Sequence, residues 1–263
     1  MSLEGYLKAA KEAAQKAGRF LKESLDNTKE IIFKGSVDLV TNLDNQSQSM
    51  IFKYLSDSFP DHDFLAEEGL SEERGAEFRW IIDPLDGTTN YAHKFPVFTV
   101  SIALERKSEV VLGVIYDPMR EEMFTALRGE GAFLNERKIK VSSVDDLDKS
   151  LVATGFPYDL RVSDVNNINH FKNFVTRVQA IRRCGSAAMD LCYVACGRFD
   201  GFWELKLQPW DMAAGALIVE EAAGQISDFL GRGFSIHSTE ILASNGLIHG
   251  QMIDVLQLEN KQN

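Results

Sequence analysis

The sequence predicts an α+β fold, because the apolar residues follow different periods in three regions of the chain. In the first 60 residues, apolar side chains recur at helical spacing. Residues 79–142 contain β-rich runs separated by turn-prone or charged residues, and from residue 150 onward strand-like and helix-like segments alternate. The first region therefore predicts helices, the second an antiparallel sheet and the third an α/β half.

Two amphipathic helices are predicted at the start of the chain. Their apolar positions are Leu3, Leu7, Ala10, Ala14, Ala17 and Leu21 in the first helix, and Leu43, Met50, Ile51, Tyr54 and Leu55 in the second. The second helix precedes Phe59 and Pro60, which form a stop signal. Between the helices, the glycine and serine of residues 34–38 predict a loop or short hairpin that could move.

The other elements are assigned from local composition. Strands are predicted at residues 80–82, 97–104, 110–116, 123–127, 151–153, 199–205 and 241–243, and helices at 165–178, 187–196 and 210–223, followed by a terminal helix. The sequence contains no internal repeat, low-complexity tract or Pro/Ser-rich linker. Residues 1–145 and 146–263 are therefore expected to be two halves of one continuous globular unit, with a ligand site at their junction.

The composition limits the classes of function. A chain of 263 residues is long enough to bury a sizeable core. Its formal net charge of −11 repels a phosphate backbone, which disfavours nucleic acid as the main ligand. An acidic protein that binds anionic substrates needs local positive charge, and divalent cations can supply it. No apolar run reaches membrane-spanning length, so no membrane partner is expected.

The three cysteines are an odd number, and no secretory signal is recognisable at the N-terminus, so a cytoplasmic location is expected. Cys192 and Cys196 lie one helical turn apart, but no second Cys or His pair stands at metal-binding spacing. Both, together with Cys184, are predicted to be buried or half-buried structural thiols.

The most informative segment is residues 80–90, which runs from a predicted strand into a polar turn. Asp83 and Asp86 can direct two carboxylates at one hard cation, and the Leu85 carbonyl can join them. If a helix or turn starts at Thr88, the N–H groups of Gly87 and Thr88 can bind phosphate oxygens. The alternative is a capped loop, because these residue types also form turns.

Two further segments deliver carboxylates to the ends of predicted elements. Residues 64–66 form a short apolar run, after which either Glu67 or Glu68 could point inward and complete a cation site. Pro209 marks a helix start, and Asp211 follows in the first turn. Asp211 could equally do no more than stabilise the helix dipole.

Together these segments resemble the inositol monophosphatase family over nearly the whole chain. The family's Asp-Pro-Leu/Ile-Asp-Gly-Thr-x-Asn signature is matched by residues 83–90, and its Trp-Asp-x-Ala-Ala/Gly-Gly signature by residues 210–215. Residues 37–44 are similar to the family's mobile loop and the start of its second helix, and Glu67 is similar to its first-strand metal ligand. The co-occurrence of both signatures makes the resemblance specific.

The resemblance implies a layered αβαβα sandwich of the inositol monophosphatase and fructose-1,6-bisphosphatase type, a homodimer, and two or three Mg2+ ions. By resemblance, the first ion is held by Glu67, Asp83 and the Leu85 carbonyl, and the second by Asp83, Asp86 and Asp211. A third, weaker ion would use Glu67 and waters. Inhibition by lithium is also implied.

The resemblance also implies residue roles in catalysis. Thr88 and Asp44 would orient the nucleophilic water, which the Glu67-bound ions activate, and the N–H groups of Gly87 and Thr88 would hold the phosphate. Phosphoryl transfer needs an in-line water, neutralised phosphate charge and a stabilised leaving oxygen, and a cation cluster can supply all three. No histidine base is required, and none is present in these motifs.

The resemblance implies that the substrate is a small phosphate monoester, and it favours myo-inositol monophosphate. Residues 185–188, with Ala187, and Glu204 resemble the family's inositol-binding elements, and Asp86 and Asp211 would face the same substrate. Residues 155–159 differ from the loop of animal members that supplies a serine near the substrate.

Several alternatives remain open. Fructose 1,6-bisphosphate, histidinol phosphate, a nucleotide 2′- or 3′-phosphate and glycerol 2-phosphate all suit the same chemistry. Arg182 and Arg183 could bind a second anionic group, but a position at the dimer surface is favoured. A regulatory protein that contacts another macromolecule is the alternative from a different class, and a protein partner is left open.

Overall fold

The computed structural model describes residues 2–25, 31–33 and 39–258. The loop predicted at residues 34–38 lies outside the described residues. The α-helices of the described part are α1 (Leu3–Ser24), α2 (Asn42–Ser58), α3 (Thr88–Ala92), α4 (Ile168–Val175), α5 (Ala187–Ala195), α6 (Pro209–Glu221) and α7 (His249–Leu256). The two predicted N-terminal helices are confirmed as α1 and α2.

The strands of the described part fall into two sheets and one short hairpin. They are β1 (Ile31–Phe33), β2 (Leu39–Thr41), β3 (Asp63–Ala66), β4 (Ser71–Glu72), β5 (Phe78–Asp86), β6 (Thr99–Arg106), β7 (Glu109–Asp117), β8 (Glu122–Leu127), β9 (Gly131–Leu134), β10 (Arg137–Lys138), β11 (Leu151–Thr154), β12 (Ala180–Arg182), β13 (Gly201–Leu205), β14 (Gln225–Ser227) and β15 (Glu240–Ser244). Each strand predicted from composition is present with shifted bounds.

The first sheet has the strand order β10-β9-β8-β7-β6-β5-β3-β4, and the second has the order β12-β11-β13-β15-β14. The antiparallel sheet predicted for residues 79–142 is confirmed, because every pair from β5 to β10 is antiparallel, and β3 adds to its edge a strand that runs parallel to β5. The parallel pair arises from β4, which runs antiparallel to β3. After β4 the chain returns in the direction of β3, and β5 pairs with β3 on the side opposite β4.

The alternation of side chains along the strands separates the core into layers. In β5, Trp80 and Ile82 pack with α1 and α2, whereas Ile81 packs on the other face with α5 and α6. In β13, Phe202 joins that middle layer, whereas Trp203 packs outward with α4 and α7. The order of layers is helices, sheet, helices, sheet and helices, which confirms the expected αβαβα arrangement.

The helix predicted at residues 165–178 is shorter than expected. Asn167 has a left-handed backbone with φ of +69°, and the Asn166 side chain accepts a hydrogen bond from the Ile168 N–H at 3.1 Å, so α4 begins only there. After Val175 the chain turns into β12, because the Gln179 N–H binds the carbonyl of Ser150 at the start of β11.

Helix α6 lies against β7 at a close backbone approach. A Cβ atom on Gly113 would stand 2.7 Å from the Ala214 carbonyl oxygen, so a glycine is needed for this packing distance. The contact fixes the depth of α6 between the two sheets. No helix in the described residues combines the length and apolar character that crossing a membrane requires.

Candidate active site

A cavity of about 460 Å³ lies where the two halves of the chain meet. It is lined by the end of β3, the end of β5 with α3, the loop after β11, the start of α5, β13 and the start of α6. The acidic side chains in its wall are those of Glu67, Asp83, Asp86, Asp159, Asp190, Glu204 and Asp211. Every cation ligand and phosphate-binding residue proposed from the sequence lines this one space.

A β-bulge brings Asp83 and Asp86 to the same face of β5. Asp83 pairs with Ser101 and Asp86 with Thr99, so three steps along β5 match two steps along β6. Residues three apart on a regular strand would face opposite sides, and the extra residue cancels this difference. The bulge contains Pro84, which has no N–H to donate to the ladder.

Two hydrogen bonds fix the backbone of this bulge. The Leu85 N–H donates to Asp83 Oδ1 at 3.0 Å, and the Ser47 hydroxyl of α2 donates to the Pro84 carbonyl at 2.8 Å. The first orients one carboxylate locally, and the second ties the bulge to a packed helix. Asp83, which is almost fully buried, is thereby held in place.

Of the two adjacent glutamates, Glu67 faces the cavity. The side-chain amide of Gln48 in α2 bonds both the carbonyl of Glu68, at 3.3 Å, and its N–H, at 3.0 Å. The Glu67 N–H binds the Ile82 carbonyl at 3.3 Å, so the segment stays beside β5. The cavity wall contains Glu67 and not Glu68, which resolves the choice that the sequence left open.

Asp211 combines the two roles that the sequence offered as alternatives. It lies in the first turn of α6, where its Oδ2 accepts a hydrogen bond from the Gln208 N–H at 2.7 Å, and it also lines the cavity. Asp86 has a comparable arrangement, since its Oδ2 accepts from the Ser186 hydroxyl at 2.7 Å and from the Ala188 N–H at 2.8 Å.

Burial and mutual repulsion raise the pKa values of these carboxyl groups. Burial raises the pKa of Glu67 to about 8, with the charge of Asp211 as the next cause, and burial likewise raises that of Asp211 to about 8. The pKa of Asp83 is well above its ordinary value because of burial and then the charge of Glu67. Burial also raises the pKa of Asp86, although donors from Ser186 and Ala188 oppose this.

This donor set fits divalent cations in its chemistry. Hard cations prefer carboxylate and carbonyl oxygens, and they would neutralise the repulsion between the four acids. Among the described residues, no group of three or more His, Cys, Asp or Glu side chains already stands in a geometry that could hold a metal ion.

The start of α3 forms one wall of the cavity. Gly87 has a φ of +99° and precedes Thr88, the first residue of the helix, as the sequence predicted. The Thr88 hydroxyl donates to the Leu85 carbonyl at 3.1 Å, and the Asn90 amide donates to the carbonyls of Val97 and Cys184, both at 2.8 Å. Asn90 thus joins this wall to the chain just before α5.

Asp44 and Ala187 have different positions relative to the cavity. Asp44 is buried in the first turn of α2 and does not contribute to the cavity wall, so its pairing with Thr88 stays a prediction. Ala187 is the first residue of α5 and does line the wall, as does Glu204. Burial raises the pKa of Glu204 to about 8.

Two further residues line the cavity that the sequence did not assign to the site. Arg183, for which a position at the dimer surface was favoured, lines the cavity, and its charge opposes the burial that raises the pKa values of Asp86 and Glu204. Asp190 was missed, although it lies in the wall with 1% of its surface exposed. The available signal was an aspartate within the otherwise apolar helix α5, where a charge is seldom buried without a purpose.

The cysteine prediction is confirmed. All three cysteines lie in the described residues and are free thiols, with Cys192 buried and Cys184 and Cys196 half-buried. Burial raises the pKa of Cys184 to about 12 and raises that of Cys192 well above its ordinary value. Such thiols are poor nucleophiles, so they have a structural role.

Comparisons with known proteins agree with this site. The model of the inositol monophosphatase family matches residues 2–260. The chain is 44% identical over 256 residues to the inositol-1-monophosphatase of Synechocystis sp., covering 97% of this chain and 89% of that protein. It is 43% identical over 242 residues to Nus factor SuhB of Escherichia coli, covering 91% of each.

A solved structure extends the similarity to three dimensions. The structure of an inositol monophosphatase from Anabaena (Nostoc) sp. matches with a TM-score of 0.89 and 42% identity, over 97% of this chain and 96% of that one. The layered fold and its acidic cavity are those of a phosphoric monoester hydrolase. The chain belongs to the inositol monophosphatase family.

Proposed function

We propose that this phosphatase hydrolyses myo-inositol monophosphate to inositol and phosphate, and that it requires Mg2+. The observation that carries the proposal is the convergence of Glu67, Asp83, Asp86 and Asp211 on a cavity that also contains Glu204. Four acids, one buried (Asp83) and three half-buried, supply a site for cations, and a fifth faces the remaining space. Family membership supports a metal requirement in general terms, and the ion and its number belong to the proposal.

The residues that would hold the ions are those inferred from the family resemblance. Glu67, Asp83 and the Leu85 carbonyl would hold one ion, Asp83, Asp86 and Asp211 a second, and Glu67 would contribute to a weaker third. When bound, the ions would neutralise phosphate charge, activate the attacking water and stabilise the leaving oxygen. The raised pKa values of Glu67 and Asp211 agree with this role, because a cation would replace protons there.

The chain itself would position the phosphate and the water. The first N–H groups of a helix have no partner within it, so those of Gly87 and Thr88 can donate to phosphate oxygens from the cavity wall. The Thr88 hydroxyl, with Asp44 as its proposed partner, would orient the attacking water. Direct attack by water needs no covalent intermediate on the enzyme.

Glu204 would select the leaving group. It lies on β13, seven residues before Asp211, and both side chains line the cavity. Its carboxyl group can accept hydrogen bonds from vicinal ring hydroxyls, with Asp86, Ala187 and Asp211 around the same substrate. A ligand without those hydroxyls would leave a buried polar group unpaired, which gives strong discrimination.

The test is a panel of phosphate monoesters assayed with Mg2+ and compared by kcat/KM. The panel contains inositol 1-phosphate, fructose 1,6-bisphosphate, histidinol phosphate, 2′-AMP, glycerol 2-phosphate and 4-nitrophenyl phosphate, the last having no hydroxyl on its leaving group. We expect inositol 1-phosphate to rank first and Glu204→Gln to reduce its turnover more than that of 4-nitrophenyl phosphate. Glu130→Gln, an exposed glutamate outside the cavity, is the matched control.

Two results would contradict the proposal at different levels. A bisphosphate or nucleotide at the head of the panel would overturn the inositol assignment while leaving the phosphatase chemistry intact. Each of Asp86→Asn and Asp211→Asn deletes one charge from the shared set of ligands. Near-normal turnover of either variant at saturating Mg2+ would therefore overturn the assignment of the cation site itself.

A second role is favoured by one comparison. The relative from Escherichia coli carries the name of a factor rather than of an enzyme, at 43% identity over most of both chains. We propose that this chain can also contact another macromolecule. Retention of a partner by Asp211→Asn in a pull-down, without catalysis, would support the role, and capture of no partner by either wild type or variant would exclude it.

We also propose that the protein is a homodimer and that lithium inhibits it, both by family resemblance. The free thiols agree with a cytoplasmic, reducing location. Light scattering during size-exclusion chromatography would test the dimer, and a monomer at micromolar concentration would contradict it.

A further inference from the structure

The carboxyl group of Glu204 rests directly on the backbone of Gly155, the first residue after β11. A Cβ atom built on Gly155 would overlap Oε1, Oε2 and Cδ of Glu204. Any side chain at this position must therefore displace the carboxyl group, which is the part of Glu204 that faces the cavity. The backbone of Gly155 does not have the left-handed conformation that favours glycine. Space for Glu204 is thus the specific requirement for glycine here.

A buried polar cluster fixes the positions of Gly155 and Glu204. It contains the residue that precedes each of them in the chain. Thr154 and Trp203 are paired in register, and the Thr154 hydroxyl donates to the Trp203 carbonyl at 2.6 Å. Both side chains are fully buried. Gly155 and Glu204 follow these paired residues directly, so the cluster sets their separation.

Asn167 completes the cluster from the turn before α4. Its amide nitrogen donates to the Gly155 carbonyl at 2.5 Å and to the Thr154 hydroxyl at 2.8 Å, and its Oδ1 accepts from the Trp203 indole N–H at 2.8 Å. The side chain is 97% buried, and its left-handed backbone suits asparagine. One residue therefore bonds both the end of β11 with Gly155 and the residue of β13 that precedes Glu204.

We propose that Gly155 and Asn167 are positioning residues that hold the Glu204 carboxyl group toward the leaving group and thereby set the preference for hydroxylated leaving groups. The inference rests on the proposed function, since it acts through the role of Glu204 in substrate selection. It assigns specificity to a glycine and an asparagine that neither bind the cations nor face the phosphate.

The test compares four proteins: wild type, Gly155→Ala, Glu204→Asp and the double variant. The substrates are inositol 1-phosphate and 4-nitrophenyl phosphate, and the readout is the ratio of their kcat/KM values. Gly155→Ala should reduce this ratio about tenfold or more, mainly through KM for inositol 1-phosphate, because a misplaced acceptor loses its hydrogen bonds. Activity on 4-nitrophenyl phosphate should stay within about twofold.

The double variant separates positioning from a general structural effect. Aspartate is one methylene shorter than glutamate, so it leaves room for the new methyl group, and the double variant should discriminate better than Gly155→Ala alone. Gly233→Ala is the matched control, because a Cβ there meets no atom within 4 Å. Melting temperatures of all variants report the accompanying change in stability.

The outcomes distinguish this inference from the proposed function. If Glu204→Gln lowers the ratio and Gly155→Ala does not, positioning by Gly155 is wrong and the substrate assignment stands. If wild type shows no preference for inositol 1-phosphate, both fall together. An equal loss on both substrates, or a double variant no better than Gly155→Ala, would also overturn the inference. If Gly155→Ala does not fold, a folded and discriminating double variant would support it, and an unfolded one would contradict it.

Discussion

At the scale of single residues, the chemistry of the cavity is set by buried and half-buried carboxyl groups that repel one another. Glu67 and Asp211 would be separately exposed and ionised in an unfolded chain, with pKa values near 4. Folding brings them into one wall and raises both pKa values to about 8. The acids that would bind cations therefore work against folding when no cation is present.

A pH dependence follows for the cation-free protein. The folded state keeps protons on Glu67, Asp211 and Glu204 up to about pH 8, whereas the unfolded state releases them near pH 4. The stabilisation from these protons is complete at low pH and is lost as pH rises toward 8. In EDTA, we expect the melting temperature to fall from pH 6.5 to pH 8.5.

Mg2+ should reverse this trend, because it binds the deprotonated carboxylates and competes with the protons. The increase in melting temperature on adding Mg2+ should be larger at pH 8.5 than at pH 6.5, and Asp211→Asn should diminish it at both. Differential scanning fluorimetry with and without Mg2+ provides the measurement. A cation-free melting temperature that stays level or rises over this range would show that the cavity acids are not coupled in this way.

The proposed role of Thr88 can be tested directly by enzyme kinetics. Its hydroxyl donates to the Leu85 carbonyl within the cavity wall. If that hydroxyl orients the attacking water, Thr88→Ala should lower kcat roughly 100-fold with little change in KM, whereas Thr88→Ser should retain most of kcat. Steady-state kinetics on inositol 1-phosphate would distinguish these cases. A raised KM at unchanged kcat would instead assign Thr88 to substrate binding.

At the scale of elements, local irregularities in regular structure direct the functional groups. The bulge in β5 brings Asp83 and Asp86 to one face, and the first turn of α6 supplies Asp211. Neither element carries the site alone, since one belongs to the first sheet and the other to a helix between the sheets. The depth of α6 depends on Gly113 of β7, which shows how a distant packing contact supports the cavity.

Helix α7 is attached to the second sheet through a buried histidine. His249 Nε2 lies 2.9 Å from the Ser227 hydroxyl of β14, and Nδ1 lies 2.8 Å from the Ser244 hydroxyl of β15. The Ser227 hydroxyl donates its proton to the Asp228 carbonyl, so it must accept from Nε2–H. The neutral ring with its proton on Nε2 therefore satisfies both contacts.

Burial lowers the pKa of His249 to about 4, whereas an unfolded histidine has a pKa near 6.5. The neutral folded form is favoured above pH 6.5, and that stabilisation is lost as pH falls from about 6.5 to about 4. We expect His249→Ala to lower the free energy of unfolding by roughly 2–4 kcal/mol at pH 7.5.

Urea denaturation of wild type and His249→Ala at several pH values would test this attachment. The stability difference between them should shrink toward pH 4, because wild type alone loses the stabilisation from neutral His249. Comparing the two proteins at the same pH cancels the contribution of the cavity acids. A difference that does not depend on pH would mean that His249 acts through packing alone.

At the scale of the whole molecule, one core cluster is shared by both halves of the chain. It joins Ile81 and Phe124 of the first sheet, helices α5 and α6, and Phe202 of the second sheet. A part-buried hydrogen bond also bridges the halves, since Asp200 accepts from the Ser142 hydroxyl at 2.6 Å. Shared burial of this kind favours a single cooperative transition.

Unfolding can be followed separately in each half. Trp80 is buried in the first sheet and Trp203 in the second, so variants that retain one of them and carry Phe at the other tryptophans report on one half each. Within each variant, we expect the urea midpoint from tryptophan fluorescence to equal the midpoint from circular dichroism. Two separated transitions within one variant would show that the halves unfold independently and would contradict the proposal of one continuous unit.

The sequence by itself determined the class of fold and identified the residues, proposed as cation ligands, that line the cavity. Helical and strand periods are local properties, and so are the Asp83–Asp86 and Trp210–Asp211 segments, so they could be identified without knowledge of distant contacts. The sequence could also predict a glycine and a helix start at Gly87 and Thr88, because turn chemistry is local.

Only the tertiary structure decided which of Glu67 and Glu68 faces inward, that β3 and β5 run parallel, and that Arg183 and Asp190 belong to the cavity. It also revealed the contact between Gly155 and Glu204. These features depend on groups far apart in the chain, such as Gln48 with Glu68 and Asn167 with Trp203. The packing of whole elements fixes such contacts, and sequence spacing carries no direct record of them.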